Sequence, residues 1–353
     1  MSIQVKSPAN IAFVKYWGRA DHELYVARNT SISMNISGCY TTIDADLHDG
    51  EEDIIEVKFY NQEFKRLYPD DHKSKEIFKQ IERIRNESGI DKKVKMISEN
   101  NFPADAGIAS SASALSAITA ALLNLYGMKE KFDDKIEFSR QIRLCGSGSA
   151  IRSAMDGFVE FLAPNYDTDV VYPKPETVSD ETKKMWHEKS CSRQIADEKS
   201  WDLVDVVAIV NPEKKLVSSS QGHLMADSSP YFEARIEEIG DRIKKVRQAI
   251  LDKDIRTLGP LIEQDSTSMH AVMMTSNPGI FYWSPGSMRI MLELMKWRRE
   301  DDLQAYFTLD AGPNVHVICE KKDAAEVTKR LEALPEVQWT IYNENCKGTE
   351  IVT

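Results

Sequence analysis

Apolar and polar positions alternate through the N-terminal part of the chain. IQVKS near the start, then SISMNIS, TTIDADL, DIIEVKFY and VKMISEN, each follow the two-residue period that predicts half-buried strands. Among them, SKEIFKQIERIRNESG repeats its apolar residues at helical spacing and stops on Gly89, a residue suited to a helix C-cap. The loop NNFPADAG then feeds ASSASALSAITAALLNLYG, whose run of small and aliphatic residues predicts a buried helix. DKIEFSRQIRLCG predicts another helix, followed by the small-residue stretch GSGSAIRS and the strand GFVEFLA. Between Pro164 and Asp202 the chain turns polar and gathers prolines, which places a domain join there and divides 1–185 from 186–353. Beyond it come the buried strand WDLVDVVAIV and the amphipathic helices YFEARIEEIGDRIKKVRQAILD and SMRIMLELMKWRRE. AYFTLDAGPNVHVICEK reads as strand–turn–strand, and DAAEVTKRLEAL as a last helix before a terminal strand. The pattern is that of an α+β protein in two parts.

Composition narrows this picture. A chain of 353 residues, 42% hydrophobic and 29% charged, suits a two-domain globular protein. MSIQVKSPAN lacks the apolar core of a secretory signal, and no segment reaches the roughly 18 apolar residues of a membrane span, so a cytoplasmic protein is expected. Against 45 Lys and Arg stand 56 Asp and Glu, a net charge of −11, which argues against nucleic-acid or anionic-membrane partners. The five cysteines are scattered without a CxxC pair, so reduced thiols are expected, with no disulfide framework and no metal site.

In so acidic a chain, an anion site must concentrate its own cations and N–H groups. PADAGIASSASA (Pro103 to Ala114) offers small residues that admit a ligand to the backbone, and the helix after it offers free N–H groups. A close-packed helix start explains the same residues. GSGSAIRS (Gly146 to Ser153) is a second such turn, where Arg152 could hold a carboxylate or phosphate by two parallel hydrogen bonds, or simply decorate a surface helix. In SPANIAFVKYWGR, Lys15 and Arg19 flank Tyr16 and Trp17; a lysine among apolar neighbours needs a partner, which a structural ion pair also supplies. DAGPN (Asp310 to Asn314) presents a carboxylate at a strand end, either as turn former or as a reactive group.

Together, NIAFVKYWGR, NTSISM, NNFPADAGIASSASA, GSGSAIRS, YWSPGSM and YFTLDAGPN resemble the diphosphomevalonate decarboxylase family of the GHMP kinase superfamily, in order and over nearly the whole chain. The resemblance implies a GHMP kinase fold, with an N-terminal domain like ribosomal protein S5 domain 2, a ferredoxin-like C-terminal domain and the substrate between them. Family enzymes phosphorylate the 3-hydroxyl of a mevalonate phosphate from ATP, then expel that phosphate with carbon dioxide to leave an alkene. By position, Asp310, Lys15 and Arg152 become the catalytic group. Arg152 would hold the C1 carboxylate, while Asp310 beside Lys15 would orient or deprotonate the 3-hydroxyl and later face a cationic C3. Substrate contacts are implied for Asn10, Tyr16, Arg19, Ser147, Gly148, Ser149, Ser219, Ser220 and His223. Gly107, Ala109, Ser110, Ser111 and Ser113 would form the phosphate loop. The resemblance also implies a homodimer.

Three departures bear on the phosphate donor. PADAG replaces the family's PTAAG, so Asp105 adds a charge where ATP phosphates would lie; like charges about 4 Å apart repel by roughly 4 kcal/mol at an effective dielectric of 20. Ser220 and His223 replace an arginine and a methionine in the substrate loop, removing a charge-assisted contact of ~1.5–3 kcal/mol. Arg19 replaces a lysine. These favour a decarboxylase that converts mevalonate 3,5-bisphosphate to isopentenyl phosphate without ATP. The alternative is an ATP- and Mg²⁺-dependent phosphomevalonate or diphosphomevalonate decarboxylase; a second is a catalytically inactive metabolite-binding protein of the same fold.

Overall fold

The alternating stretches near the start form the two longest strands, Ser2–Val14 and Ser31–His48, paired antiparallel in the computed structural model, which describes residues 2–71, 74–103, 107–108, 110–171, 178–211 and 217–352. SISMNIS and TTIDADL, expected as separate strands, are one strand with a bulge: the partner of Pro8 is Tyr40, but that of Ala9 is Ile36. A proline cannot continue the ladder as a donor, and the extra residues opposite it absorb the break.

These two strands are the spine of an eight-stranded sheet. Its main path runs Glu350–Ile351, Ser2–Val14, Ser31–His48, Lys93–Asn100, Ile54–Phe59 and Lys65–Leu67. Ile54–Phe59 and Lys93–Asn100 run parallel, with the intervening helix Lys75–Ser88 as the connection a parallel pair needs. That helix ends on Gly89 at φ 70°, the left-handed cap its sequence predicts. Phe158–Phe161 pairs with the front of Ser31–His48 and carries Ser192–Ala196 on its far side. The helix Ser110–Leu125 buries its alanines and leucines among Ile43, Ala45 and Met96 of the sheet.

Leu203–Ile209 is buried along its whole length and centres an antiparallel four-stranded sheet of order Ala305–Thr308, Val315–Glu320, Leu203–Ile209, Trp339–Glu344. On one face, Val204, Val206 and Val317 pack against Ile290 and Leu294 of the helix Pro285–Asp301 and Val327 and Leu331 of the helix Ala324–Glu332. The other face packs under the helices Phe232–Asp252 and Ile255–Met274, and its apolar cluster runs on into Phe13, Trp17 and Ile32 of the first sheet. Each fully buried side chain of this kind contributes about 1.5–3 kcal/mol, so the two sheets share one core instead of hinging on a thin linker. The chain end also returns to the first sheet, where Val5 and Lys6 pair with Ile351 and Glu350. The Ile255–Met274 helix carries Asp265, Ser266 and His270 fully buried, and these polar residues interrupt the apolar period by which a helix is recognised. Among the described residues no helix is long and apolar enough to cross a membrane.

Candidate active site

Lys15 is the residue at which the first strand leaves its ladder, and its backbone is clamped on both sides. Its N–H donates to Asp265 Oδ2 at 2.7 Å, and its carbonyl accepts from Asn29 Nδ2 at 3.1 Å and Arg235 Nη2 at 3.2 Å. Asp265 is fully buried and also accepts from Arg235 at 3.0 Å and Arg242 at 3.2 Å, so one carboxylate orders two guanidinium groups and the Lys15 turn. The Lys15 ammonium then reaches Asp310, Nζ to Oδ1 2.5 Å. The lysine side chain is 2% exposed and the aspartate 21%, so the pair opens on the carboxylate side.

The turn that carries Asp310 is fixed independently. Leu309 N–H donates to Ser266 Oγ at 2.9 Å, and Asn314 Oδ1 accepts from the N–H groups of Val210 and Asn211 at 2.8 and 3.1 Å. Ser287 Oγ donates to the Pro313 carbonyl at 2.5 Å. Asp310 is thus presented by a rigid frame, the condition for a carboxylate that must act at one place.

Arg152 lies in the short 3₁₀ segment Ala150–Ala154 and is 3% exposed. Its Nη1 donates to Ser31 Oγ at 2.5 Å and its Nε to Asn10 Oδ1 at 3.2 Å, while Asn10 Nδ2 donates to Ser153 Oγ at 2.9 Å. Burial pulls the Arg152 pKa down to about 10, with Asp310 opposing the fall, so it remains a cation at neutral pH. Burial also lowers Lys15, against the attraction of Asp310. Burial would raise Asp310, but Lys15, His316 and Arg152 outweigh it and the net is downward. Two cations thus flank one carboxylate, a local excess of positive charge in an acidic protein. It suits a ligand bearing carboxylate and phosphate groups.

Around this trio the expected residues divide by what they touch. The Tyr16 ring stacks on His223, centroids 4.2 Å apart, and its hydroxyl accepts from Arg19 Nε at 2.8 Å. A Cβ at Gly148 would lie 2.9 Å from the Tyr16 ring, so only glycine lets the Ser147–Ser149 turn approach it; the two serine hydroxyls lie 3.0 Å apart. His223 Nδ1 accepts from Gly18 N–H at 3.1 Å, which makes His223 a support for the Tyr16–Trp17 turn. Ser219 and Ser220 open the helix Ser219–Met225, half-buried and exposed respectively, with Ser218 as its cap. In the stretch expected to form a phosphate loop, Gly107 has φ +83°, and a Cβ there would lie 3.0 Å from Gly312 Cα. Gly107 therefore lies directly against the DAGPN turn. Ser110 and Ser111 start the helix Ser110–Leu125, whereas Ser113 is buried and its hydroxyl bonds to Thr41 Oγ1 at 2.7 Å and Ser110 O at 3.2 Å. Ala109 and Asp105 lie outside the described residues.

Residues 7–171 match the profile of the diphosphomevalonate decarboxylase-like N-terminal domain, and residues 205–351 that of the mevalonate 5-diphosphate decarboxylase C-terminal domain. The chain belongs to the diphosphomevalonate decarboxylase family. It is 32% identical to the diphosphomevalonate decarboxylase of Saccharomyces cerevisiae over 88% of this chain and 76% of that one. With the Debaryomyces hansenii enzyme it shares 30% over 91% and 80%. The mevalonate diphosphate decarboxylase structure from Staphylococcus aureus superposes with a TM-score of 0.82 at 28% identity, covering 100% of this chain and 98% of that one. A decarboxylase described as in complex with MVAPP, AMPPCP and magnesium gives 0.81 at 27%, covering 99% and 98%. This decarboxylase therefore has the α+β GHMP fold its motifs implied, and it is a carboxy-lyase of the mevalonate pathway.

The sequence alone did not point to four residues that frame the candidate site: Asp265, Ser266, Asp205 and His316. Each is a polar residue inside an apolar element, and that break in pattern was the available signal.

Proposed function

We propose that the enzyme is an ATP-dependent decarboxylase of mevalonate 5-diphosphate, with Asp310, Lys15 and Arg152 as its catalytic group. The observation that carries the reading is the Lys15–Asp310 pair at 2.5 Å, beneath a phosphate loop whose Gly107 touches the same turn. The curated relatives are named for the diphosphate substrate, and one solved neighbour is described with an ATP analogue and magnesium. Nothing among them supports the elimination without ATP that Asp105 and Ser220 suggested, so the ATP-coupled alternative becomes the main reading.

The nucleotide fits the loop on this chain's own terms. A left-handed glycine lets the backbone close on phosphates, and the Ser110–Leu125 helix turns its free N–H groups and positive end toward that loop. Ser110 and Ser111 add hydroxyls at its first turn. Magnesium, when bound with the nucleotide, would supply positive charge at the phosphates beside Ser110 and Ser111. Arg152, anchored through Ser31 and Asn10, holds the C1 carboxylate. Asp310 accepts the 3-hydroxyl hydrogen bond and orients that oxygen toward the γ-phosphate. Its lowered pKa makes it a weak base but a persistent anion. That persistence matters in the second step, where departure of the 3-phosphate leaves C3 electron-poor and a fixed carboxylate stabilises it while carbon dioxide leaves. Lys15 keeps Asp310 ionised and aimed.

A 5-monophosphate substrate is a second reading, favoured by Ser219 and Ser220, which bring hydroxyls and no cation to the substrate loop. Supplying mevalonate 5-diphosphate, mevalonate 5-phosphate and mevalonate 3,5-bisphosphate, each with and without ATP and Mg²⁺, tests both. Alkene formation from the diphosphate only with ATP is expected. Turnover of the bisphosphate alone, with the diphosphate inert, overturns the reading. We also place the enzyme in the cytoplasm, in keeping with its five free cysteines, and as a homodimer that could cover the exposed Met288, Leu292 and Met295. Sedimentation at micromolar concentration checks the assembly.

A further inference from the structure

Asp205 and His316 form a buried ion pair to which the proposed chemistry gives no part beyond the charge that His316 adds beside Asp310. They stand on adjacent strands of the second sheet, Leu203–Ile209 and Val315–Glu320, on the face otherwise lined by Val207, Ile209 and Ile318. Both are fully buried, at 0% and 1% exposure. His316 Nδ1 meets Asp205 Oδ2 at 2.8 Å, and its Nε2 meets the Gly107 carbonyl at 3.1 Å. A carbonyl only accepts, so Nε2 carries a hydrogen; the carboxylate accepts from Nδ1 in turn, which makes the ring an imidazolium. Burial lowers the His316 pKa, but Asp205 raises it and the net is upward, in agreement with the geometry.

Stability alone is a poor reason for this pair. Among the described residues Asp205 Oδ1 has no hydrogen-bond partner, and well-packed apolar residues commonly do as well as, or better than, a buried ion pair in a sheet interior. What an apolar pair could not supply is the second bond. His316 lies six residues after Asp310 on the outgoing strand, and it holds the carbonyl of a glycine three residues ahead of the Ser110–Leu125 helix. The same glycine touches Gly312 of the Asp310 turn. One strand of the second sheet therefore anchors both the reactive carboxylate and the loop of the first.

We propose that His316, charged and held by Asp205, is a positioning residue that fixes the phosphate loop in register with Asp310 for transfer of the γ-phosphate. The proposal rests on the ATP-dependent reading above. His316 is fully buried and acts through the Gly107 carbonyl, while its charge adds to the larger effect of Lys15 on Asp310. Transfer needs loop and carboxylate in one geometry, whereas elimination from an already 3-phosphorylated substrate needs only the carboxylate, Lys15 and Arg152.

The test compares His316→Leu, His316→Gln and Asp205→Asn in two assays: ATP-dependent turnover of mevalonate 5-diphosphate, and elimination from its 3-phosphorylated form. A misplacement of about 1 Å costs on the order of a hundredfold in rate, so His316→Leu is expected to lower ATP-dependent kcat by roughly ten- to a hundredfold and elimination by clearly less, since there only the charge of His316 beside Asp310 is lost while the larger effect of Lys15 stays. His316→Gln, whose amide can still donate to Gly107, recovers most of the loss, and Asp205→Asn falls between them. Unchanged ATP-dependent turnover in a folded His316→Leu overturns the proposal. So does an equal fall in both assays that His316→Gln does not repair, which would mark a purely structural pair. Should His316→Leu not fold, the same split is read from His316→Gln against Asp205→Asn, and its absence there has the same force. Wild-type turnover of the diphosphate without ATP would instead refute the functional reading, an outcome visible before any variant is made.

Discussion

Replacing Asp310 by Asn removes one negative charge and little volume from the centre of the site. Its partner, Lys15, is then a nearly inaccessible ammonium with no carboxylate. The largest penalty such a lysine can exact is that of shedding its proton, about 5 kcal/mol at pH 7 for a group with an unfolded pKa near 10.4. Breaking a buried pair commonly costs about 3–5 kcal/mol, and the partial exposure of Asp310 places this one at or below the lower end of that range. The sign with pH follows from the lowered Lys15 pKa. In the variant that pKa falls further, so the unfolded state binds the extra proton and stability rises with pH through the window between the two values. The Tm deficit should therefore shrink as the pH is raised from about 7 to 9. The catalytic loss has a separate origin. A carboxylate about 4 Å from a developing cation, at an effective dielectric near 20, contributes roughly 4 kcal/mol. Solvent access to Asp310 reduces that toward the 2.7–4 kcal/mol seen for single fixed electrostatic groups, or about 10²–10³ in kcat. Carbon dioxide release from carboxyl-labelled substrate, beside thermal unfolding at several pH values, reads both effects. An Asp310→Asn protein that is folded and keeps more than about a tenth of its kcat refutes the assigned role.

Three further outcomes follow from the same geometry. Arg152→Lys keeps a cation but not the planar fork anchored on Ser31 and Asn10; kcat/KM should fall by about ten- to a hundredfold with little change in Tm. Asp265→Asn leaves Arg235 and Arg242 buried without their shared carboxylate and loosens the Lys15 turn. Urea unfolding should show a loss of about 3–5 kcal/mol, and an unchanged midpoint would remove Asp265 from the account. The pH profile of kcat/KM should be broad: its acid limb lies below the ordinary carboxylate range because Asp310 is lowered, and its alkaline limb begins below that of a free lysine because Lys15 is lowered too. Narrowing of the acid side in Lys15→Met, as the Asp310 pKa rises, checks the coupling between them.

Much of the candidate site was legible in the chain because the residues proposed to react sit where backbone pattern changes. Lys15 follows the end of a long alternating strand, Arg152 follows a small-residue turn, and Asp310 ends an apolar strand before Gly312 and Pro313. Such positions stand out locally, and ordered motifs over the whole chain joined them. The support beneath them was not legible. Asp265 is 250 residues from the Lys15 N–H it accepts, and His316 is 209 from Gly107, so their partners exist only once the two sheets share a core. The bulge opposite Pro8 escaped notice for a similar reason, since register belongs to a pair of strands and neither strand alone encodes it. Ser113 shows the converse error: a hydroxyl in a serine-rich loop looked available to phosphate, yet helical spacing turns it into the sheet and onto Thr41.

The central claim is that this trio performs an elimination driven by phosphate from ATP, and product stoichiometry in a single turnover tests it most directly. Enzyme in excess is mixed with mevalonate 5-diphosphate, ATP and Mg²⁺, quenched over time, and assayed for ADP and carbon dioxide in the same samples. The account predicts one ADP for each carbon dioxide, with ADP never lagging, and neither product from the Asp310→Asn protein at the wild-type rate. Carbon dioxide released without ADP would contradict it.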